Sequence, residues 1–173
     1  MSQHREFIPL NIAVLTISDS RTEENDTSGQ LLVDKLKNAG HLLSDKKIVA
    51  DDIYQIRAIV SQWISNNAVD VVISTGGTGI TGRDGTPEAI QPLLDKEIEG
   101  IGELILSISY DEIKTSSLQS RALSGVANGT YIFSLPGSSG ACKTAWDKII
   151  LEQLDNRTLP CNLVMLIPRL KEK

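Results

Sequence analysis

Cysteine and histidine are scarce: Cys142, Cys161, His4 and His41 are all this 173-residue chain offers. They fall in no spacing that would build a zinc site, and two cysteines set up no disulfide framework. The setting expected from that usage is reduced and cytoplasmic. Basic excess is missing too: 17 lysines and arginines stand against 22 aspartates and glutamates, a net charge of −5. A nucleic-acid surface needs a basic face to neutralise phosphates, so nucleic acid is not the expected partner. A small phosphorylated ligand held by backbone amides and Mg²⁺ stays open. Long apolar runs are absent as well. Residues 163–167 fall far short of the ~20 needed to span a bilayer. Residues 8–17 include Pro9 and Asn11 and lack an Ala-x-Ala site, so they read as a buried strand rather than a signal peptide, and no membrane is expected. No repeat, linker or low-complexity tract divides the chain, and its length suits one domain with a genuine core.

What is present reads as alternating strands and helices. Residues 12–17 are apolar with little alternation, as in a strand covered on both faces. A polar loop from Ser18 to Asn25 follows, then a helix capped by Asp26 or Thr27, with Leu32 and Leu36 on one face and Gly40 as its stop. A second strand is expected around 46–50, ending at Asp51-Asp52. Ile56, Ile59, Val60, Trp63 and Ile64 recur at helical spacing, and residues 69–75 form a third strand. This βαβαβ order with short connections signals a doubly wound α/β sheet. Further on, Pro92 limits a short helix after Pro87, Gly100 and Gly102 precede a helix over 103–110, and residues 115–121 enter another short one. Asn128-Gly129 separates 125–127 from a strand at 130–135 as an antiparallel hairpin. A last helix is expected over 141–154, with Trp146, Ile149 and Ile150 as its buried stripe. Trp63 and Trp146 both read as packing.

The chemistry concentrates between 71 and 87. An apolar run stops at Thr75, five glycines follow between 76 and 85, and Thr86-Pro87 reads as N-cap and first residue of a helix. Glycines let backbone amides approach an oxyanion, and a helix start adds partial positive charge. Ser134 to Gly140 forms a second loop of glycine and hydroxyl residues between a strand and a helix. In open α/β sheets ligands sit outside the carboxyl ends of the strands. Both loops, with residues 18–21 and Asp51-Asp52, should therefore line one edge. Gly77-x-Gly79-x-x-Gly82 satisfies the dinucleotide fingerprint, yet it follows the third strand rather than the first. Gly77 and Gly82 also fit half of a P-loop, but Arg83-Asp84 stands where Lys-Ser/Thr is required. Asp84 beside a phosphate-sized loop suggests Mg²⁺, or else a turn-stabilising carboxylate. Asp51 is a helix cap or a metal ligand. Arg121 is an anion clamp or an ordinary ion pair. Cys142, in the first turn of a helix, is a favoured thiolate or a small core residue.

Thr75-Gly76-Gly77-Thr78-Gly79, Arg83-Asp84-x-Thr86-Pro87-Glu88-Ala89 and Ser134-Leu135-Pro136-Gly137-Ser138 together resemble the MoaB/MogA family of molybdenum-cofactor biosynthesis proteins. The similarity runs from Ile12 through Leu154; residues 122–127 and 141–146 look closest to its bacterial MoaB branch. The resemblance implies one three-layer α/β/α domain over 1–173, with a MogA-like, mostly parallel sheet and one antiparallel hairpin. A loose arm at 1–9 and a tail at 156–173 flank it. It also implies a homotrimer or homohexamer, molybdopterin as substrate, Mg²⁺, ATP as co-substrate, and other proteins of the same pathway as partners. The implied reaction is adenylyl transfer, giving adenylylated molybdopterin and pyrophosphate; the alternative is a non-catalytic molybdopterin-binding scaffold. Carried over by position, Asp84 and Asp51 match the family's aspartates, an implied catalytic and Mg²⁺-binding pair. Gly76, Gly77, Thr78 and Gly79 match the nucleotide-side loop, and Ser134, Pro136, Gly137 and Ser138 a candidate pterin or phosphate cradle. Two positions depart: Ser139 stands where many members have proline, and Gly85 where an aliphatic residue is common. The apolar stretch 163–167 is expected to be a subunit contact or an edge strand.

Overall fold

Strand β1 (Asn11–Ile17) shows how the sequence divides its apolar residues between two faces. Ile12 and Val14 join one core cluster, and Ala13, Leu15 and Ile17 join the other, following the two-residue period of a strand buried on both sides. A computed structural model describes residues 5–173. In it β1 is followed by α1 (Thr27–Asn38), β2 (Leu42–Val49), α2 (Ile53–Ile64) and β3 (Val71–Thr75). Then come α3 (Thr86–Ile90), β4 (Lys96–Glu97), α4 (Glu99–Ile113), β5 (Leu123–Ala127), β6 (Thr130–Leu135) and α5 (Ser139–Ala145). The six strands form one sheet in the order β2-β1-β3-β6-β5-β4. β2, β1, β3 and β6 run parallel, while β5 is antiparallel to both β6 and β4.

Leu32, Val33 and Leu36 of α1, Ile101 and Ile105 of α4, and Cys142 and Ala145 of α5 cover one face of the sheet. Ile56, Val60 and Trp63 of α2, with Ala89 and Ile90 of α3, cover the other. The result is the three-layer α/β/α architecture. The β5–β6 hairpin turns at Asn128-Gly129, both with positive φ (48° and 78°), the geometry that matches the right-handed twist of its strands. Trp63 and Trp146 are buried packing residues, as their spacing implied.

Several boundaries differ from the sequence expectation. β2 starts at Leu42 rather than 46; it is one of the sheet's two edge strands and only partly covered, so its apolar signal is weak. α4 extends over both Gly100 and Gly102, which read as breakers. Gly102 is inside the helix because a Cβ there would sit 2.9 Å from the Ala122 carbonyl. Two-residue β4 carries no periodic signal at all. Residues 114–119 form a 3₁₀ helix, and α5 continues through a π-helical stretch (Trp146–Ile150) into Leu151–Gln153.

Of the expected N-terminal arm, residues 1–4 lie outside the described residues. Residues 5–9 have no regular structure but are tied to Asn156, which accepts from the Ile8 amide (3.0 Å) and donates to the Glu6 carbonyl (2.8 Å). Nor is the tail an edge strand. It forms a 3₁₀ helix (Val164–Arg169) after Leu163, whose carbonyl accepts from the Tyr131 hydroxyl at 2.8 Å. Among the described residues no helix is long and apolar enough to cross a membrane.

Candidate functional site

β3 and β6 are hydrogen-bonded neighbours in parallel register, with Thr75 opposite Leu135, so the loops that follow them leave the same edge. They also touch. The Gly76 amide donates to the Leu135 carbonyl (3.1 Å), and the Thr75 hydroxyl donates to the Pro136 carbonyl (2.9 Å). A Cβ on Gly137 would stand 3.3 Å from the Cα of Gly76. Gly76 adopts φ +104° and Gly77 φ +66°, conformations that disfavour any side chain. At Gly76 a Cβ would lie only 2.1 Å from the Ile17 carbonyl at the end of β1. The loop thus turns tightly over two neighbouring strands.

Side chains then hold that turn open as a loop. α3 begins one residue earlier than expected: Gly85 is the N-cap position and Thr86 the first helical residue, and the Thr86 hydroxyl donates back to the Gly76 carbonyl at 2.8 Å. Asp84 accepts from the Thr81 amide (2.9 Å) and hydroxyl (2.7 Å) through one carboxylate oxygen. The Thr81 hydroxyl is the main reason its carboxyl sits below the usual range, against the opposing effect of burial. Arg121, 42 residues from Gly79, donates to the Gly79 carbonyl (2.9 Å), reaches the Asp84 carbonyl (3.4 Å), and pairs with Glu88. Arg121 is therefore a staple on the glycine loop, committed to protein partners.

The carboxyl end of β2 supplies the opposite wall. Asp52, not Asp51, caps α2 by accepting from the Gln55 amide at 2.8 Å. Asp51 stays uncommitted and half-buried, close enough to the loop that a Cβ on Gly77 would lie 3.0 Å from its Oδ1. Burial, then the charges of Asp19 and Asp84, push the Asp51 carboxyl above its ordinary value, with Arg83 opposing them. Asp19, just past β1, accepts from the Asp51 amide (3.0 Å) and meets Arg83 edge-on, with Nε and Nη2 at 2.6–2.9 Å from its oxygens. A groove of about 610 Å³ opens between these walls, lined by Asp51, Ile53, Ile80, Arg83, Asp84 and Arg121 among others.

The eight expected loop residues do not share one fate. Gly76, Gly77, Thr78 and Gly79 form the turn, with Gly77 and Gly79 partly exposed and Gly76 and Thr78 buried beneath them. Gly137 and Ser138 are exposed on the neighbouring loop, although the Ser138 hydroxyl already caps α5 by accepting from the Ala141 amide at 3.1 Å. The Pro136 carbonyl accepts from Thr75 and from the Cys142 thiol. Ser134 corrects the expectation. It is wholly buried in β6, where its hydroxyl accepts from Ser74 at 3.1 Å, so it packs between strands instead of lining a cradle. Cys142 is a core residue: burial pushes its thiol up to about 11 and leaves no thiolate at neutral pH.

The two departures from the family pattern also find places. A Cβ on Gly85 would come within 2.9 Å of Ile53 Cγ1, so Ile53 fills the space an aliphatic side chain would take. The Ser139 hydroxyl donates to Thr27 at the start of α1 (3.1 Å), a bond proline has no means to make. The sequence assigns no individual role to Asp19 or Thr81, places Arg83 only within the family motif and reads Thr86 only as a helix cap. For Asp19 the one signal is the position of residues 18–21 past a strand end.

For cation donors the groove offers Asp51 and Asp84. No group of three or more His, Cys, Asp or Glu side chains that would hold a metal exists among the described residues. Two carboxylates flanking the same turn, Asp51 near Gly77 and Asp84 near Gly79, fit a cation of the Mg²⁺ type, which takes one or two carboxylates and completes its shell with water and substrate phosphates.

Residues 13–156 match a family model described as a probable molybdopterin binding domain. Molybdenum cofactor biosynthesis protein B of Escherichia coli K12 is 57% identical over 157 residues, covering 91% of this chain and 92% of that protein. The protein of the same name from Bacillus cereus is 47% identical over 161 residues, covering 91% and 95%. Among solved structures, a molybdenum cofactor biosynthesis protein B superposes with a TM-score of 0.87 at 45% identity, over 95% of this chain and 99% of that one. The tungsten cofactor synthesizing protein MoaB from Pyrococcus furiosus does so at 0.76 and 37%, over 83% and 92%.

Proposed function

The chain belongs to the MoaB/MogA family of molybdenum cofactor biosynthesis proteins, and from that premise we propose that it binds molybdopterin and adenylylates it with Mg-ATP. The observation that carries this reading is the glycine-to-glycine contact of Gly76 and Gly137, with Asp51 and Asp84 beside the same turn. Two phosphorylated substrates that must react need adjoining cradles, and two loops whose backbones abut provide them.

In the reaction, an oxygen of the molybdopterin terminal phosphate forms a bond to the α-phosphorus of ATP, and the bond to the β-phosphate breaks, releasing pyrophosphate. A phosphate nucleophile is already ionised, so the site must position and neutralise rather than deprotonate. Gly77 and Gly79 carry no side chain of their own, which lets Thr86, Asp51 and Asp84 close in on the turn. Arg121 and Thr86 hold that backbone in place before substrate arrives. Mg²⁺ held by Asp51 and Asp84 would offset their repulsion of the phosphates and the charge gathering on pyrophosphate. The same reading carries a cytoplasmic homotrimer or homohexamer working beside other proteins of the pathway.

Mixing the protein with molybdopterin, Mg²⁺ and ATP and following pyrophosphate tests the proposal. Wild type should release it, and Asp84→Asn should lose at least about a hundredfold in rate, the scale of a removed charge-stabilising group. The melting temperature should stay nearly unchanged, since an asparagine oxygen still accepts from Thr81. One observation favours a scaffold instead: Asp84 already spends one oxygen on Thr81. Molybdopterin binding with no ATP turnover at any Mg²⁺ concentration would establish that second reading and end the first.

A further inference from the structure

Two arginines face the groove, and the structure treats them differently. Arg121 is locked by two backbone carbonyls as well as Glu88. Arg83 has no backbone partner in the hydrogen bonds of the described residues; it holds only the Asp19 carboxylate. That pair is open to water, with side-chain exposures of 66% and 45%, so it contributes little to stability and exchanges readily. It nonetheless has the parallel, two-pronged geometry with which guanidinium groups grip carboxylates and phosphates alike. Asp19 is also fastened from behind by the Asp51 amide, so it is the stationary partner and Arg83 the movable one.

We propose that Arg83 is a phosphate-binding residue of this groove and that Asp19 occupies it as a surrogate anion until a phosphate displaces the carboxylate. The proposal rests on the adenylyl-transfer reading for the identity of the ligand, a nucleoside triphosphate. Its consequence is a self-competition built into the site. Each incoming phosphate must break one ion pair, which couples binding to separation of the loop after β1 from the glycine loop. Arg83 thereby positions the polyphosphate rather than acting on the bond that breaks.

The test is a double-mutant cycle on affinity, measured by calorimetry without divalent metal, with inorganic tripolyphosphate and ATP as probes. Asp19→Asn retains the acceptor for the Asp51 amide and weakens the hold on Arg83; it should bind both probes about threefold tighter than wild type. Arg83→Gln should bind them about threefold weaker or worse. In the Arg83→Gln background Asp19→Asn should then make almost no difference, because Asp19 acts through Arg83. An equal gain in both backgrounds would overturn the proposal, showing that Asp19 merely repels phosphate by its charge. So would unchanged affinity in Asp19→Asn. If wild type binds neither probe without metal, the titrations are repeated with Mg²⁺: binding that then appears but is unchanged by Arg83→Gln overturns the proposal alone, and no binding even with Mg²⁺ ends the nucleotide reading as well. Melting curves of the variants confirm that each is folded.

Discussion

The two loops that meet at the sheet edge are built by opposite means. The glycine loop after β3 makes its turn with Gly76 and Gly77 at positive φ, and is then held by side chains from elsewhere: Thr86 on the Gly76 carbonyl, Arg121 on that of Gly79. The loop after β6 contains no positive-φ residue; it passes from strand to helix with Ser138 as an ordinary cap. One loop is forced into shape by tertiary contacts, and the other follows from its local sequence. Three mutually interacting carboxylates, Asp19, Asp51 and Asp84, also gather around the forced one. Strain and charge are concentrated where chemistry needs a preset backbone, and the quiet loop serves as its floor.

Exchanging one methyl group between the loops should break that comparison most visibly. Gly76→Ala places a Cβ 2.1 Å from a backbone carbonyl at a φ that L-residues avoid, with no flexible side chain to yield. It should cost about 3 kcal/mol or more, or leave the chain insoluble. Gly137→Ala meets Gly76 alone, its Cα at 3.3 Å and its nitrogen at 3.9 Å, with φ outside the restricted range. It should stay within about 1 kcal/mol of wild type. Urea denaturation of the two variants measures the difference, and equal costs would mean that the loops do not differ as described.

Much of this contrast was legible in sequence, and the reasons for the exceptions are physical. The central parallel strands β1 and β3 are apolar runs, unlike the edge strand β2, and the glycine spacing marks a turn wherever it falls. Which residues of a loop face outward is decided by a one-residue boundary. That is how Ser134, the second-last residue of β6, was assigned to a cradle although it is wholly buried. Arg121 and Asp19 act across 42 and 64 residues, and pairings of that reach leave no local pattern. Gly100 and Gly102 read as helix ends because propensity speaks only for the isolated chain; at Gly102 close packing against the Ala122 carbonyl accounts for the glycine, whereas nothing crowds Gly100.

The carboxylates of the forced loop sharpen the comparison further, because two of them titrate in opposite senses. Asp51 is raised above its unfolded value by burial and by its neighbours' charge. Its contribution to stability is therefore full below the unfolded value and lost as pH rises through the folded one. At pH 7 its ionised form is a cost, so Asp51→Asn should melt on the order of 2 °C higher than wild type, an advantage that fades as pH falls through the carboxylate range. Asp84 is lowered, chiefly by the Thr81 hydroxyl, and its contribution is present above the unfolded value and lost as pH falls through the folded one. Asp84→Asn should show no such gain. Melting curves of both variants between pH 3 and pH 8 would reveal it, and a destabilised Asp51→Asn at neutral pH would contradict the assignment.

The smallest expected effect lies beneath the quiet loop and is a matter of rate. Cys142 is fully buried, donates to the Pro136 carbonyl at 3.3 Å, and lies 3.2 Å from the Thr75 hydroxyl. With its thiol pushed up to about 11 by burial, it is neither ionised nor reachable in the native state. Cys161 is exposed. A disulfide reagent at pH 8 should therefore titrate one thiol quickly in wild type, with the second appearing only as the chain unfolds. Because Cys142 touches the floor loop and the last residue of β3 together, its labelling reports any opening of the seam between the two loops. Gly137→Ala should leave that second thiol protected, whereas any Gly76→Ala protein that remains soluble should expose it faster. Equal protection in both would show that the strain at Gly76 stays on the glycine loop and never reaches the seam.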